Sequence, residues 1–248
     1  MPPIILNKKK GFTPLELVKI YKKENNVTEK VCYAGRLDPM AHGMMILLKG
    51  IECKLMTSYC NLNKTYEFTV LYGFKTDTYD LLGKVTNYKT NIQNIDFDLN
   101  KFTGKIKQMY PSYSSIIIKH NGIRRPLWEW TKMGLYSELD IPYKDVEIYS
   151  LKEIDYKTNI NDSCELKKYI IDNINLLSEP NKKKFRVEEI LELWNKIFEE
   201  NEIIFKPVIK KYVSNVSSGT YIRSLTNRIG DYLGYGAITL DINRLKIE

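Results

Sequence analysis

This chain has little from which a metal centre or a disulfide scaffold is built. Among 248 residues there are two histidines, His42 and His120, and four cysteines, Cys32, Cys53, Cys60 and Cys164. No two cysteines form a CxxC pair, which argues against a zinc ribbon. Two histidines make no His-rich metal site. The cysteine spacing outlines no disulfide framework, so reduced thiols and an intracellular setting are expected. No stretch approaches the roughly 20 consecutive apolar residues of a membrane span. At the N-terminus the charges follow the apolar part and no cleavage site appears, so it does not read as a signal peptide. No internal repeat is found. What remains is a basic, globular protein inside a cell, with no metal and no membrane expected.

Apolar residues make up 43% of the chain, enough for a sizeable core in one large domain or two small ones. Lys and Arg number 38 against 30 Asp and Glu, a net charge of +8. Such an excess favours a polyanionic partner. A chain this rich in Lys, Asn and Ile also drifts basic without binding nucleic acid, so charge alone decides nothing.

Pattern and punctuation divide the chain. Ile4-Ile5-Leu6 reads as a short strand. Thr13-Pro14 opens a helix, with Thr at the cap, Pro at the first position and Glu16 in the first turn. Leu15, Val18 and Ile20 anchor it as far as about Tyr21, and a polar connector covers residues 22–30. Strands are predicted over 46–48, 66–72, 84–88, 116–119, 146–154, 206–216 and 237–247, with Asn121-Gly122 a tight turn. Short helices are predicted over 51–59, 97–102 and 127–133, and a longer one over 221–233, broken by Gly234-Tyr235-Gly236. Residues about 157–206 change character: a helical insertion in a β context. Leu166, Ile170, Ile174 and Leu177, then Ile190, Leu191, Trp194, Ile197 and Phe198, fall on helical faces there. The connecting run Ser178 to Lys184 ends in three lysines, for which RNA contacts and a plain solvated turn are both open.

One stretch departs from ordinary scaffold: Tyr33-Ala34-Gly35-Arg36-Leu37-Asp38-Pro39-Met40-Ala41-His42-Gly43. It reads as neither helix nor strand. Pro39 fixes its own φ and pushes Asp38 towards an extended conformation. The apolar run Met44 to Leu48 anchors the far side, so the bend is stiff and aims one carboxylate. From these residues alone, a surface Asp-Pro turn reads equally well.

Three further segments carry candidate chemistry: Asn63-Lys64-Thr65-Tyr66; Gln108 to Ser115, continuing through Lys119 and Arg124-Arg125; and Ser217-Ser218-Gly219-Thr220-Tyr221-Ile222-Arg223-Ser224-Leu225. The last puts Arg223 at a strand-to-helix junction, where it can pair bidentately with a carboxylate or phosphate. Together the segments hold one carboxylate, one pairing arginine, aromatics able to stack a base, and cations for phosphates. That set suits chemistry on an extruded nucleotide.

These four segments, in this order, resemble the TruB family of tRNA pseudouridine synthases. The family's loop has the form Gly-His-x-Gly-x-Leu-Asp-Pro-x-Ala-x-Gly, where this chain reads Cys32-Tyr33-Ala34-Gly35-Arg36-Leu37-Asp38-Pro39-Met40-Ala41-His42-Gly43. Lys64-Thr65-Tyr66 with Gly73 and Thr76-Asp77-Thr78-x-Asp80-x-x-Gly83 is similar to the second motif. Phe102-x-Gly104-x-Ile106-x-Gln108-x-x-Pro111-x-Tyr113-Ser114 is similar to the third, and Ser218 to Leu225 with Gly230 and Leu233-Gly234 to the fourth. The likeness runs from about residue 3 to residue 247, interrupted by the insertion.

The resemblance implies an α+β pseudouridine synthase fold. Its mixed, mostly antiparallel sheet would be flanked by helices, with a central RNA-binding cleft. It would form a single domain over 1–248, with the insertion at about 157–206. The implied activity is conversion of a uridine in the T-loop (TΨC arm) of tRNA to pseudouridine. The base would flip out and its glycosidic bond move from nitrogen to carbon, with no cofactor and no metal. RNA is then the partner, and a monomer is expected. By the same resemblance Asp38 is the catalytic aspartate, acting as nucleophile or as glycal-forming base. Arg223 pairs with it, Tyr221 takes the C5 proton, Tyr66 stacks on the flipped uracil and Ile242 lines the pocket. Tyr33 and Arg36 adjoin the substrate; Lys64, Lys119 and Arg124 are candidates for the RNA backbone.

The chain also departs from the pattern. Tyr33 replaces the family's usual His, Met40 and His42 replace commoner residues, and Tyr110-Pro111 replaces Pro-Pro. Arg36 before Leu-Asp is a second candidate for the contact with Asp38. The sequence stops at Glu248, so the appended RNA-binding PUA domain of most members is not expected. The alternative is an RNA-binding or tRNA-folding protein of the same fold, its catalysis lost or incidental. Intact Asp38, Tyr66, Tyr221 and Arg223 favour the enzyme.

Overall fold

Strands here follow period-two burial, and the central ones are buried on both faces. The structure, a computed structural model, describes residues 2–92, 95–200 and 205–248. It begins β1 (Ile4–Lys8), α1 (Pro14–Glu24), β2 (Val31–Ala34), β3 (Ala41–Lys49), α2 (Met56–Cys60) and β4 (Lys64–Tyr72). A small ribbon of β5 (Phe74–Thr76) and β6 (Val85–Tyr88) follows. Next come β7 (Gly104–Met109), the hairpin β8 (Ile117–His120) and β9 (Ile123–Pro126), α3 (Leu127–Lys132) and β10 (Tyr143–Ile154). An excursion of α4 (Ser163–Ile174), α5 (Glu179–Lys184) and α6 (Val187–Glu200) leads to β11 (Ile209–Val216), α7 (Ile222–Leu233) and β12 (Ala237–Ile247).

The main sheet runs β1-β3-β12-β4-β11-β10-β7, with β2 alongside β3. Neighbours are antiparallel except β12 and β3, which run parallel with Ile242 opposite Ala41 and Arg244 opposite Gly43. That crossing is close. A Cβ on Gly43, whose φ is +107°, would fall 2.4 Å from the Arg244 carbonyl oxygen. The mixed, mostly antiparallel sheet flanked by helices is therefore the one the family resemblance implies.

Alternation along β4 splits the core. Phe68, Val70 and Tyr72, with Tyr212 and Val216 of β11, pack under Leu225 and Ile229 of α7. Leu71, with Ile238 and Leu240 of β12, packs on the other face against Ile170, Ile174, Ile190 and Trp194. A side chain of this size contributes on the order of 1.5–3 kcal/mol when fully buried. The helical stripes read from the sequence thus face this core, with Leu177 just beyond α4 and with Leu191 and Phe198 of α6 only partly buried.

α1 starts at the predicted cap. The Thr13 hydroxyl accepts from the Glu16 amide at 3.2 Å, and the Glu16 carboxylate accepts from the Thr13 amide at 2.7 Å. The helix runs on to Glu24, and Leu15, a predicted anchor, is exposed while Pro14 and Val18 are buried. Residues Gly50–Leu55 form a 3-10 turn before α2. β7 (Gly104–Met109) takes in Gln108 and Met109 of the third candidate segment, a strand the sequence pattern does not predict. It lies at the sheet's edge, and the lysines that blunt an edge also hide its alternation. α5 forms in a run that reads as a connector, because Ser178 is extended and Pro180 sits in the first turn. Among the described residues no helix is long and apolar enough to cross a membrane.

Candidate active site

The Asp38 loop is shorter than the sequence suggests. Tyr33 and Ala34 belong to β2, and Ala41, His42 and Gly43 to β3, so only Gly35 to Met40 bends. Two buried cations hold that bend by its carbonyls. Arg244, 1% exposed, donates from Nη2 to the Gly35 carbonyl at 3.1 Å and from Nε to the Met44 carbonyl at 2.7 Å. Lys8, 0% exposed, donates to the Phe12 carbonyl at 2.6 Å and to the Pro39 carbonyl at 3.3 Å. The Gly11 amide also meets the Pro39 carbonyl, at 2.9 Å. Burial pulls the Lys8 ammonium down to about 7, against the opposing pull of Asp38. Sequence reading misses both cations, because a charged residue in a strand signals nothing about what faces it.

Asp38 meets Arg223 rather than Arg36. Arg223 enters at the start of α7, and its Nε donates to Asp38 Oδ2 at 2.7 Å. Nη1 of the same guanidinium donates to the Thr78 carbonyl at 2.6 Å. Asp80 Oδ2 lies 3.6 Å from Nε. Burial works against the arginine's charge, but Asp38 and Asp80 outweigh it and hold its pKa above the ordinary value. Asp80 is buried, which pushes its carboxyl up to about 6 although Arg223 opposes the shift. Sequence reading gave Asp80 no role of its own beyond its place in a motif. The Arg36 guanidinium instead donates to the Tyr33 hydroxyl at 3.2 Å, and His42 pairs with Asp241 at 3.1 Å.

Above this pair opens a cleft of about 700 Å³, in the range of pockets that hold small ligands. Tyr33, Arg36, Asp38, Tyr66, Tyr221, Arg223 and Ile242 all line it. The Gln108 side chain fixes one wall: its oxygen accepts from the Tyr221 amide at 3.0 Å and its nitrogen donates to the Gly219 carbonyl at 3.1 Å. Tyr110 meets the Tyr221 ring edge-on, centroids 6.0 Å apart. Burial, with Asp38 nearby, pushes the Tyr221 phenol up to about 12. It is a neutral phenol near neutral pH, able to donate a hydrogen bond or relay a proton, and not a ready-made phenolate.

The basic candidates separate. Lys64 lines the cleft, but its ammonium lies against the carbonyls of Cys60 and Leu62, and burial pulls it down to about 8. Its geometry is that of a loop tether. Lys119 and Arg124 face each other across the exposed β8–β9 hairpin, outside the cleft lining. Sequence reading did not place Lys132, Lys144, Lys184 or Arg186 at the cleft, yet all four line it.

On this mixed sheet, then, a buried guanidinium aims the Asp38 carboxylate into an aromatic cleft. The sequence matches the family model of the TruB family pseudouridylate synthase, N terminal domain, over residues 22–170. The chain belongs to that family. A tRNA pseudouridine synthase B of Aquifex aeolicus is 29% identical over 248 residues, covering 99% of this chain and 68% of its own length. That of Fusobacterium nucleatum is 31% identical over 179 residues, covering 68% of this chain and 60% of its own. The chain thus spans 60 to 68% of the length of these two relatives. A solved Cbf5-Nop10-Gar1 complex contains a chain of like fold, with TM-score 0.55 and 17% identity. The alignment takes in 99% of this chain and 48% of that one.

Proposed function

We propose that the protein isomerises a uridine in the T-loop of tRNA to pseudouridine, with Asp38 as the catalytic carboxylate. The observation that carries this reading is Asp38 itself, held by Arg223 at 2.7 Å on the wall of a cleft shared with Tyr66, Tyr221 and Ile242. A stacked uridine cannot reach such a carboxylate, so the base must flip out. Tyr66 offers the flipped ring a stacking face and Ile242 an apolar one.

Asp38 then adds to C1′ of the ribose or removes the C2′ proton. In either route the C1′–N1 bond breaks and its electron pair leaves with the uracil. The base turns within the aromatic walls, which keep water from it. C5 then bonds to C1′ as the Asp38–C1′ bond breaks with its electron pair returning to the carboxylate or, in the second route, as Asp38 returns its proton to C2′. Tyr221 relays the C5 proton away and N1 takes up a proton. Product and substrate are isomers with no net gain or loss of electrons, so the reaction calls for no redox cofactor.

Exposed Lys119 and Arg124 extend the basic surface towards the RNA backbone. The protein acts as a monomer and a single domain, with the excursion at about 157–206 built into it, inside the cell where tRNA is found. Incubation with an unmodified tRNA transcript, followed by mapping of pseudouridine along the strand, tests the reading. Pseudouridine at one T-loop position is expected. A transcript bound but left unmodified would favour an RNA-binding or tRNA-folding protein instead.

A further inference from the structure

The helical excursion does not pack alone. Its apolar face shares one core with Met40, two residues after Asp38, and with Leu81 and Leu82, which follow Asp80. It also docks on the β1–α1 connection and the first turn of α1. A Cβ on Gly11 would lie 2.4 Å from the Leu176 carbonyl oxygen, and Glu16 accepts from Ser178 Oγ at 2.7 Å and Asn181 Nδ2 at 2.9 Å. The excursion therefore abuts both loops that build the site.

Its most specific contact is Arg186, between α5 and α6. Nη1 donates to Asp77 Oδ2 at 2.7 Å and to the Tyr113 hydroxyl at 2.7 Å, and Nη2 donates to Asp77 Oδ1 at 3.2 Å. The guanidinium carbon stands 4.3 Å from the Tyr113 ring centroid. The Arg186 side chain is 14% exposed, so this is not a solvated surface pair of negligible worth. Arg186 itself has φ +58°, a conformation that surrounding contacts must hold.

Asp77 opens the loop that carries Arg223's other partners. The next residue, Thr78, offers its carbonyl to Arg223 at 2.6 Å, and its hydroxyl donates to Asp80 Oδ1 at 2.6 Å. Tyr79 between them has φ +66°, so this loop too must be held from outside. Asp77 is fixed on one side by the Lys84 amide at 2.9 Å and on the other by Arg186.

We propose that Arg186, supplied by the excursion, is a positioning residue for the isomerisation. It clamps Asp77, Asp77 fixes Thr78 and Asp80, and these set the guanidinium of Arg223 that aims Asp38. The inference rests on the proposed function, and it makes the excursion a working part of the active site.

The test uses the full chain and tRNA transcript tritiated at uridine C5. Single-turnover tritium release at saturating protein, RNA affinity by filter binding and the melting temperature are measured for R186A, R186K, D77N and R186A/D77N. Small misplacements of reacting groups cost up to about 100-fold in rate. R186A and D77N are each expected to slow release by about 10- to 100-fold with affinity little changed. R186K is expected to recover part of the rate, and the double variant to be no slower than the slower single one. D77N keeps its side-chain shape and carries the test if R186A does not fold. Unchanged release in R186A and D77N overturns the proposal, whether or not melting temperature falls. So do weaker binding at an unchanged rate, and additive losses in the double variant. No release from the wild-type protein would instead overturn the proposed function, and this inference with it.

Discussion

Arg223 reaches Asp38 from Nε at 2.7 Å while its side chain is 4% exposed and that of Asp38 is 30% exposed. The asymmetry matters. The arginine is committed to the interior, where an unpaired charge is costly, whereas the carboxylate keeps one face to the cleft. Its second contact, Nη1 to the Thr78 carbonyl, fixes the plane of the guanidinium. Asp38 is aimed by a group that cannot easily turn.

A lysine in place of Arg223 keeps the charge but not the fork. It cannot donate to Asp38 and Thr78 along the same two directions. Single-turnover isomerisation by R223K is expected to fall about 100-fold, roughly 2.7 kcal/mol of barrier. tRNA affinity should change much less, as filter binding will show.

Asp80 makes a pH prediction. Burial raises its pKa from 3.8 to about 6, so the folded protein binds a proton there more tightly than the unfolded chain does. That contribution to stability is fully present below pH 3.8 and is lost as pH rises through about 6. Asn mimics the protonated form and does not titrate. The melting temperature of D80N relative to wild type is therefore expected to rise as pH goes from 4 to 7. Paired thermal melts across that range check it, and a constant difference would count against the buried, titrating carboxyl.

Tyr33 holds the Arg36 guanidinium by its hydroxyl at 3.2 Å at the cleft lining. If it acts in extruding the base, Tyr33→His keeps an aromatic, hydrogen-bonding side chain there. Turnover on tRNA transcript should stay within a few-fold of wild type or improve, as steady-state kinetics will report. A dead Y33H protein would point instead to repacking of the whole loop.

The lysines of α5 are not equivalent. Lys182 is paired with Glu179 at 2.7 Å, whereas Lys184 lines the cleft with its ammonium 5.6 Å from the Trp128 ring centroid. One phosphate contact contributes about one to the slope of log affinity against log salt. K184A is expected to lower the tRNA-binding slope by about that much, and K182A to leave it unchanged. Salt titrations of affinity decide between them.

What was legible in the sequence was local. Asp38, Tyr66, Tyr221 and Arg223 sit in contiguous motifs, so each could be named before its neighbours were known, and the structure puts them around one cleft together with Ile242. What was illegible depends on register and distant return. Arg244 reaches the Asp38 loop only because β12 crosses β3 in parallel at Gly43. Lys8 serves it only because β1 pairs with β3 from the other side. Arg186 meets Asp77 across a separation of 109 residues, from a helical segment whose own period says only that it is amphipathic. Arg36 misled for the opposite reason. It is near Asp38 in sequence, but its guanidinium turns to Tyr33.

In the proposed reaction everything depends on the carboxylate of Asp38. Tritium release from C5-labelled uridine in a tRNA transcript, wild type against Asp38→Ala, tests it most directly. About one tritium per transcript is expected from the wild-type protein, and none above background from the variant, with both binding the RNA. Release by the variant at a rate near wild type, or none from a wild-type protein that binds the transcript, would contradict it.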